Sequence, residues 1–185
     1  MADIILASGS PRRRELLNML GLKFEVISAD IDEDISGYED LEEAISDLSF
    51  KKAYAVFKDH KDKVVIGADT IVSIDGEVLG KPHDEAHSKE MLKKLSGRFH
   101  DVITAVSIIS KKESATFAVT SKVQFFKLSD KDIDDYIKTQ EGLDKAGAYA
   151  IQGEGAKYIK GIIGDYYAIM GLPVGELYHR INKYL

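Results

Sequence analysis

Cysteine is absent from this 185-residue chain, which excludes a disulfide framework, a thiol nucleophile and every Cys-ligated zinc site. A reducing cytosol is a natural setting for that composition. No apolar run approaches the roughly 18–20 residues that a membrane-spanning helix needs, and Met1-Ala2-Asp3 is not the basic start of a signal peptide. The expectation is a cytoplasmic protein with no membrane partner. Positive charge is also short, with 25 Lys plus Arg against 31 Asp plus Glu and a net charge of −6. Proteins that grip DNA or anionic lipid by charge usually carry a basic surplus, so no nucleic acid polymer is expected as partner. Any polyanionic ligand must instead meet a local basic cluster. Only three prolines occur, and no repeat, low-complexity tract or flexible linker divides the sequence, so residues 1–185 are read as a single domain. At this length, and 44% hydrophobic, the chain can bury about two-thirds of its unfolded surface.

The apolar run Ile4 to Ala7 predicts a buried strand, followed by the loop Ser8-Gly9-Ser10 and a helix from Pro11 to about Leu20. Ser10 suits the N-cap, Pro11 the first helical position and Gly21 the C′ position. Phe24 to Ala29 reads as a strand that leads into the acidic segment Asp30 to Asp34. Apolar residues recurring at three- and four-residue steps predict a helix over Asp40 to Phe57. Val64 to Ile74 reads as a central strand, and Asp75-Gly76 signals a type I′ hairpin with Glu77 to Leu79 returning. Glu85 to Leu95 should be a helix stopped by Gly97, and Val102 to Ile109 and Ala115 to Phe126 two paired strands. Ser129 and Asp132 form a capping box for a helix over Asp130 to Thr139. Lys157 to Ile163 and Tyr166 to Met170 resemble a hairpin turning at Gly164-Asp165, before a terminal helix from Pro173 to Tyr184. Helices alternate with strands while hairpins interrupt the parallel pattern, which predicts an α/β fold on a mixed, twisted sheet with flanking helices.

Ser8-Gly9-Ser10-Pro11-Arg12-Arg13-Arg14 sets three arginines in the first turn of a helix, where the macrodipole disfavours cations. Backbone amides and guanidinium groups there aim positive charge at one spot, which a phosphate would neutralise. Gly67-Ala68-Asp69-Thr70 places a carboxylate inside an apolar strand, costly unless paired or used. Extending the hairpin register from Ile74 opposite Glu77 sets Thr70 opposite Lys81, so Asp69 and Lys81 are neighbours across the hairpin, either as a structural ion pair or as parts of a site, with Gly80 and Pro82 disturbing the return strand. Asp32, Glu33, Asp34 and Lys52 add carboxylates for a hard divalent ion and a cation for phosphate oxygens. The stretch from Asp144 to Gly155 offers Gln152, whose amide can read a base edge with a donor and an acceptor.

Other motifs fail. His83 and His87 stand four apart, but Asp84 replaces the Glu of a zincin and no third ligand follows. Gly76 to Pro82 has its glycines too close for a Walker loop, and Pro82 stands where Ser or Thr would bind magnesium. Gly153-Glu154-Gly155 lacks the third glycine of a dinucleotide fingerprint. No histidine has an obvious claim as base for Ser8 or Ser10.

Taken together, Leu6 to Arg13, Gly67-Ala68-Asp69-Thr70, Gly80-Lys81-Pro82, Leu95-Ser96-Gly97 and Asp144 to Tyr149 with Ile151-Gln152-Gly153 resemble the Maf family of nucleoside triphosphate pyrophosphatases, once linked to inhibition of septum formation. The resemblance covers nearly the whole chain. It implies an elongated two-lobed fold similar to inosine triphosphate pyrophosphatases, a central nucleotide cleft, a divalent metal (Mg or Mn) and often a homodimer. By similarity Asp69 is the proton acceptor, Glu33 and Asp69 serve the metal and water, and Ser8, Arg13, Lys52 and Lys81 hold phosphates. Arg12, Thr70 and Gln152 match positions associated with substrate choice. The form Ala146 to Gly153 resembles the branch acting on dTTP and UTP, which would yield a monophosphate and pyrophosphate by attack at the α-phosphorus. The alternatives are a pyrophosphatase for 7-methyl-GTP or another noncanonical nucleotide, and a nucleotide-binding regulator of cell division.

Overall fold

The computed structural model describes residues 3–185. Its elements are β1 (Ile4–Leu6), α1 (Pro11–Asn18), β2 (Phe24–Val26), α2 (Leu41–Phe57), β3 (Val64–Ile74), β4 (Glu77–Leu79), α3 (Glu85–Leu95), β5 (Phe99–Ile109), β6 (Ser114–Phe125), α4 (Asp130–Lys138), β7 (Ile159–Ile163), α5 (Tyr166–Met170) and α6 (Val174–Ile181). Seven strands form one sheet in the order β2-β1-β3-β5-β6-β7, with β4 paired to β3. β1 runs parallel to both β2 and β3, with Ile4 level with Phe24 and Val64. β3–β4 and β6–β7 are antiparallel. The fold is therefore a mixed α/β sheet with flanking helices, as the interrupted βα alternation predicts.

The chain divides into two compact units, the first comprising residues up to Thr70 with Thr104–Val119 and Tyr167–Leu185, the second Ile71–Ile103 with Thr120–Tyr166. In the first unit, Ile5, Ala7, Ala53, Val56, Val65 and Ile109 make a buried cluster flanked by Ile27, Phe50 and Phe57. α2 starts at Asp40, whose side chain accepts from the N–H groups of Glu42 (2.8 Å) and Glu43 (3.2 Å). These bonds satisfy amides that the helix leaves without intrahelical partners. Gly67 lets α2 lie against β3: a Cβ there would stand 2.4 Å from the Ser49 carbonyl oxygen and 2.7 Å from the Ala53 nitrogen. No side chain fits that gap.

In the second unit, α3 packs against α4 and against the 3-10 turn Ala146–Ala148. Asp84 caps α3 through His87 N–H at 2.8 Å, and Ser129 with Asp132 forms the expected capping box on α4. His100, Phe125 and Tyr149 meet edge to face, with ring centroids 4.8 to 5.3 Å apart. His100 Nε2 shares a 2.7 Å hydrogen bond with Tyr149 Oη. No helix among the described residues is long and apolar enough to cross a membrane.

Three local expectations change. The Asp75-Gly76 turn has φ of 54° and 81°, as type I′ requires, and Ile74 does face Glu77. The ladder nevertheless ends at Val72 and Leu79, so Thr70 and Lys81 are not a rung of it. The Gly80 carbonyl is instead taken by the Gly147 N–H at 3.1 Å, and Pro82 has no N–H to continue the ladder. Tyr166 to Met170 is not a hairpin arm but α5, closed by Gly171 N–H bonds to the carbonyls of Tyr167 and Ala168. β7 pairs with β6 instead, so β-favouring Tyr and Ile were overridden by tertiary pairing. Gly21 is left-handed at φ 68° but lies two residues past the Met19 cap rather than one.

Candidate active site

The N-terminal turn of α1 and the end of the first unit's β3 segment meet through Arg13. Ser10 caps α1 and Pro11 takes its first position. This sets Arg13 with its Nε donating to the Gly171 carbonyl (2.9 Å), Nη1 to Ser8 Oγ (3.2 Å) and Nη2 to Thr70 Oγ1 (3.0 Å). Burial lowers the guanidinium pKa, the negative charge of Asp69 opposes that, and neighbouring Arg12 reinforces it. An arginine remains charged regardless. Arg13 is thus both a cation and the brace that orients two hydroxyl groups.

The direction of each hydroxyl follows from its partners. Thr104 Oγ1 donates to the Ala168 carbonyl at 2.7 Å, which commits its one proton. Thr70, 2.8 Å away, must therefore donate to Thr104, and it accepts from Arg13. Toward a ligand, Thr70 offers only an acceptor. Ser8 Oγ accepts from both Arg13 and the Ser10 N–H (3.3 Å), so its own proton remains to donate, the polarity that an unprotonated phosphate oxygen needs.

Beside this chain stands a second cluster. Lys52, only 8% exposed on α2, places Nζ 2.6 Å from Asp69 Oδ1 and 2.7 Å from Glu33 Oε1. The close approach at Gly67 brings the α2 lysine to the carboxylate two residues further along β3. Helix α2 thus supplies Asp69 with a cation that the hairpin register did not point to. Glu33 reaches in from an exposed loop, its side chain 60% accessible. The chemistry of the set fits a hard divalent ion, since two carboxylates already converge on one cation and magnesium commonly takes one or two carboxylates, with waters and phosphates completing its shell.

The first unit thus gathers Ser8, Arg13, Thr70, Glu33, Lys52 and Asp69, with Arg12 half-buried next to them in sequence. Lys81 and Gln152 belong to the second unit and are both exposed. His83 and His87 sit at the start of α3, with Nδ1 of His87 accepting from the His83 N–H at 3.3 Å. No group of three or more His, Asp or Glu able to hold a metal occurs among the described residues. A surface depression of about 380 Å³ beside Phe126, Lys127, Lys157 and Tyr158 contains none of the expected site residues. The reading from sequence missed Thr104 and the Gly171 carbonyl. Thr104 had the same signal as Asp69, a polar side chain inside an apolar strand; a backbone carbonyl has none.

An α/β fold presenting a buried Lys bridging two carboxylates, next to a braced arginine and a serine with its proton left to donate, has the features of a site for phosphorylated ligands. The family model described as "Maf-like protein" matches residues 3–184, and the chain belongs to that family. Relatives named dTTP/UTP pyrophosphatase from Bacillus mycoides and Bacillus cytotoxicus are each 45% identical over 184 residues, covering 100% of this chain and 96% of the relative. The solved Ham1 protein of Staphylococcus aureus is 20% identical, with 66% of this chain and 71% of that one aligned at a TM-score of 0.48.

Proposed function

We propose that this protein hydrolyses dTTP and UTP to the monophosphate and pyrophosphate. The observation that carries the reading is the Glu33–Lys52–Asp69 cluster, 2.6 to 2.7 Å across each contact; the names of the Bacillus relatives supply the substrate class. Phosphoanhydride hydrolysis needs little covalent help from protein. It needs positioning, cations for the phosphoryl oxygens and a base for water.

Asp69 is the base. Its Oδ1 is held by Lys52, which leaves Oδ2 to take a proton from water as the water oxygen bonds to the α-phosphorus. The bond from that phosphorus to the bridging oxygen breaks, and pyrophosphate leaves with the electron pair. Ser8 donates to a phosphate oxygen, and Arg13 and Lys52 supply positive charge. Glu33 and Asp69 would hold magnesium or manganese, which when bound neutralises charge on the phosphate oxygens. The resemblance adds Lys81 as a further phosphate contact and assigns Arg12, Thr70 and Gln152 to substrate choice. Of these, Thr70 is restricted to accepting, so it suits a donor on substrate or water rather than a phosphate oxygen.

The test is a panel of dTTP, UTP, CTP, GTP and 7-methyl-GTP with magnesium or manganese, both products being identified by chromatography. Monophosphate and pyrophosphate from dTTP and UTP are expected. Asp69→Asn should keep nucleotide binding while turnover falls by about 10²-fold or more. Hydrolysis of a purine alone, or release of orthophosphate, would refute the assignment.

A further inference from the structure

Gln152 occupies the N-cap position of the 3-10 turn Gly153–Tyr158, yet its side chain makes no capping bond. Glutamine is a poor cap, and the first amides of any helical turn need an acceptor. The acceptor here comes from eleven residues upstream in sequence. Glu141 Oε1 accepts from the Glu154 N–H at 3.0 Å, and Oε2 accepts from the Gly155 N–H at 3.0 Å. The same Oε2 accepts from Tyr136 Oη at 2.9 Å, and that phenol oxygen accepts from the Ala150 N–H at 3.0 Å. Burial pushes the Tyr136 phenol pKa up, so it stays protonated as the donor to Glu141.

The backbone on both sides of Gln152 is therefore tied to one carboxylate. Ala150 is held through Tyr136, and Glu154 and Gly155 directly. Fit at Gly153 is equally tight: its φ is 69°, and a Cβ there would stand 1.9 Å from Glu141 Oε1. A residue with a side chain would push the carboxylate off the turn. Lys145 Nζ donates to the Glu141 carbonyl at 2.7 Å, which secures the clamp from the other side.

We propose that Glu141 is a positioning residue for substrate selection: its carboxylate takes over the capping of the Gly153–Tyr158 turn, which leaves the Gln152 amide to read the base. The inference rests on the reading of Gln152 as base-selecting. A glutamine that capped its own turn would have its amide committed to backbone. A glutamine on an unclamped loop would present it in many orientations, and discrimination between bases requires one.

The experiment compares kcat and KM for UTP and CTP, which differ only at the edge such an amide would read, in the native protein, Gln152→Ala, Glu141→Gln, Gly153→Ala and the Gln152→Ala/Glu141→Gln double variant. Amide exchange at Glu154 and Gly155 is measured alongside, and circular dichroism checks folding. Each single variant is expected to lower the UTP preference about tenfold, the scale of one hydrogen bond. The expected change lies mainly in KM, exchange at both amides should accelerate in Glu141→Gln and Gly153→Ala, and the double variant should lose no more than Gln152→Ala alone. If Gln152→Ala loses the preference while folded Glu141→Gln and Gly153→Ala keep it, the positioning role is wrong and the reading of Gln152 survives. Additive losses in the double variant would likewise refute it. Unchanged preference in Gln152→Ala would remove the reading of Gln152 and the role of Glu141 with it. Gly153→Ala carries the test if Glu141→Gln fails to fold.

Discussion

Lys52 Nζ sits 2.6 Å from Asp69 Oδ1, with the two side chains only 10% and 13% accessible. A pair this far from water is expensive to break, since removing one partner strands the other's charge. Lys52→Met should lower stability by about 3 kcal/mol, most of it from Asp69, because Glu33 is mostly solvated. The same substitution leaves two carboxylates without their shared cation. Manganese should therefore raise the melting temperature of Lys52→Met by more than that of the native protein, measured by differential scanning calorimetry. Equal shifts would argue against Glu33 and Asp69 as metal ligands.

Gly67→Ala should be among the most damaging single-methyl substitutions in the chain. The added carbon would stand 2.4 Å from the Ser49 carbonyl oxygen, so α2 must move or the protein must lose about 2–4 kcal/mol. Movement of α2 carries Lys52 away from Asp69. Turnover should fall with stability, a coupling that denaturant titration and steady-state kinetics on the same sample would reveal.

Thr104 is fully buried and anchors the hydroxyl chain from Arg13 through Thr70 to the Ala168 carbonyl. Thr104→Val keeps the shape, removes the donor to Ala168 and frees the Thr70 proton to point elsewhere. A cost of about 1–2 kcal/mol is expected, with a raised KM for nucleotide. Thr104→Ser should restore both. Failure of serine to rescue would mean that the methyl group, not the hydroxyl, matters there.

His100 is 3% exposed, and burial lowers its pKa to about 4. Nδ1 has no hydrogen-bond partner among the described residues. Its folded pKa lies below the unfolded value near 6.5, so between these values the unfolded chain binds the extra proton. Stability from this group is complete above pH about 6.5 and declines as pH falls toward 4, by about 3 kcal/mol in total. His100→Phe should flatten that part of the melting temperature profile between pH 4.5 and 7, at the cost of the bond to Tyr149. A profile unchanged by the substitution would place the acid sensitivity elsewhere.

The helices and most strands were legible because their signals are local. Ser10-Pro11 and Ser129-Asp132 mark helix starts through local backbone geometry and side-chain acceptors for amides that any helix leaves open, whatever surrounds it. Asp75-Gly76 specifies its turn because both residues tolerate positive φ. Tyr166 to Met170 misled because its composition favours a strand, while its conformation depends on the pairing of β7 with β6 and on the Gly171 turn. The need of Asp69 for a partner was readable as a charge in an apolar run; that Lys52 supplies it was not.

That Asp69 must be paired or used, that Arg13 lies at a helix start, and that strands and helices build a mixed sheet can all be read from the order of residues. Each of these follows from the desolvation cost of a charge or from short-range backbone geometry. Packing alone brings Lys52 to Asp69, lets Thr104 set the polarity of Thr70 and carries Glu141 to the turn after Gln152. Those relationships join residues 11 to 34 positions apart, and a hydrogen bond at 3 Å depends on where packing brings two side chains, which no local pattern encodes.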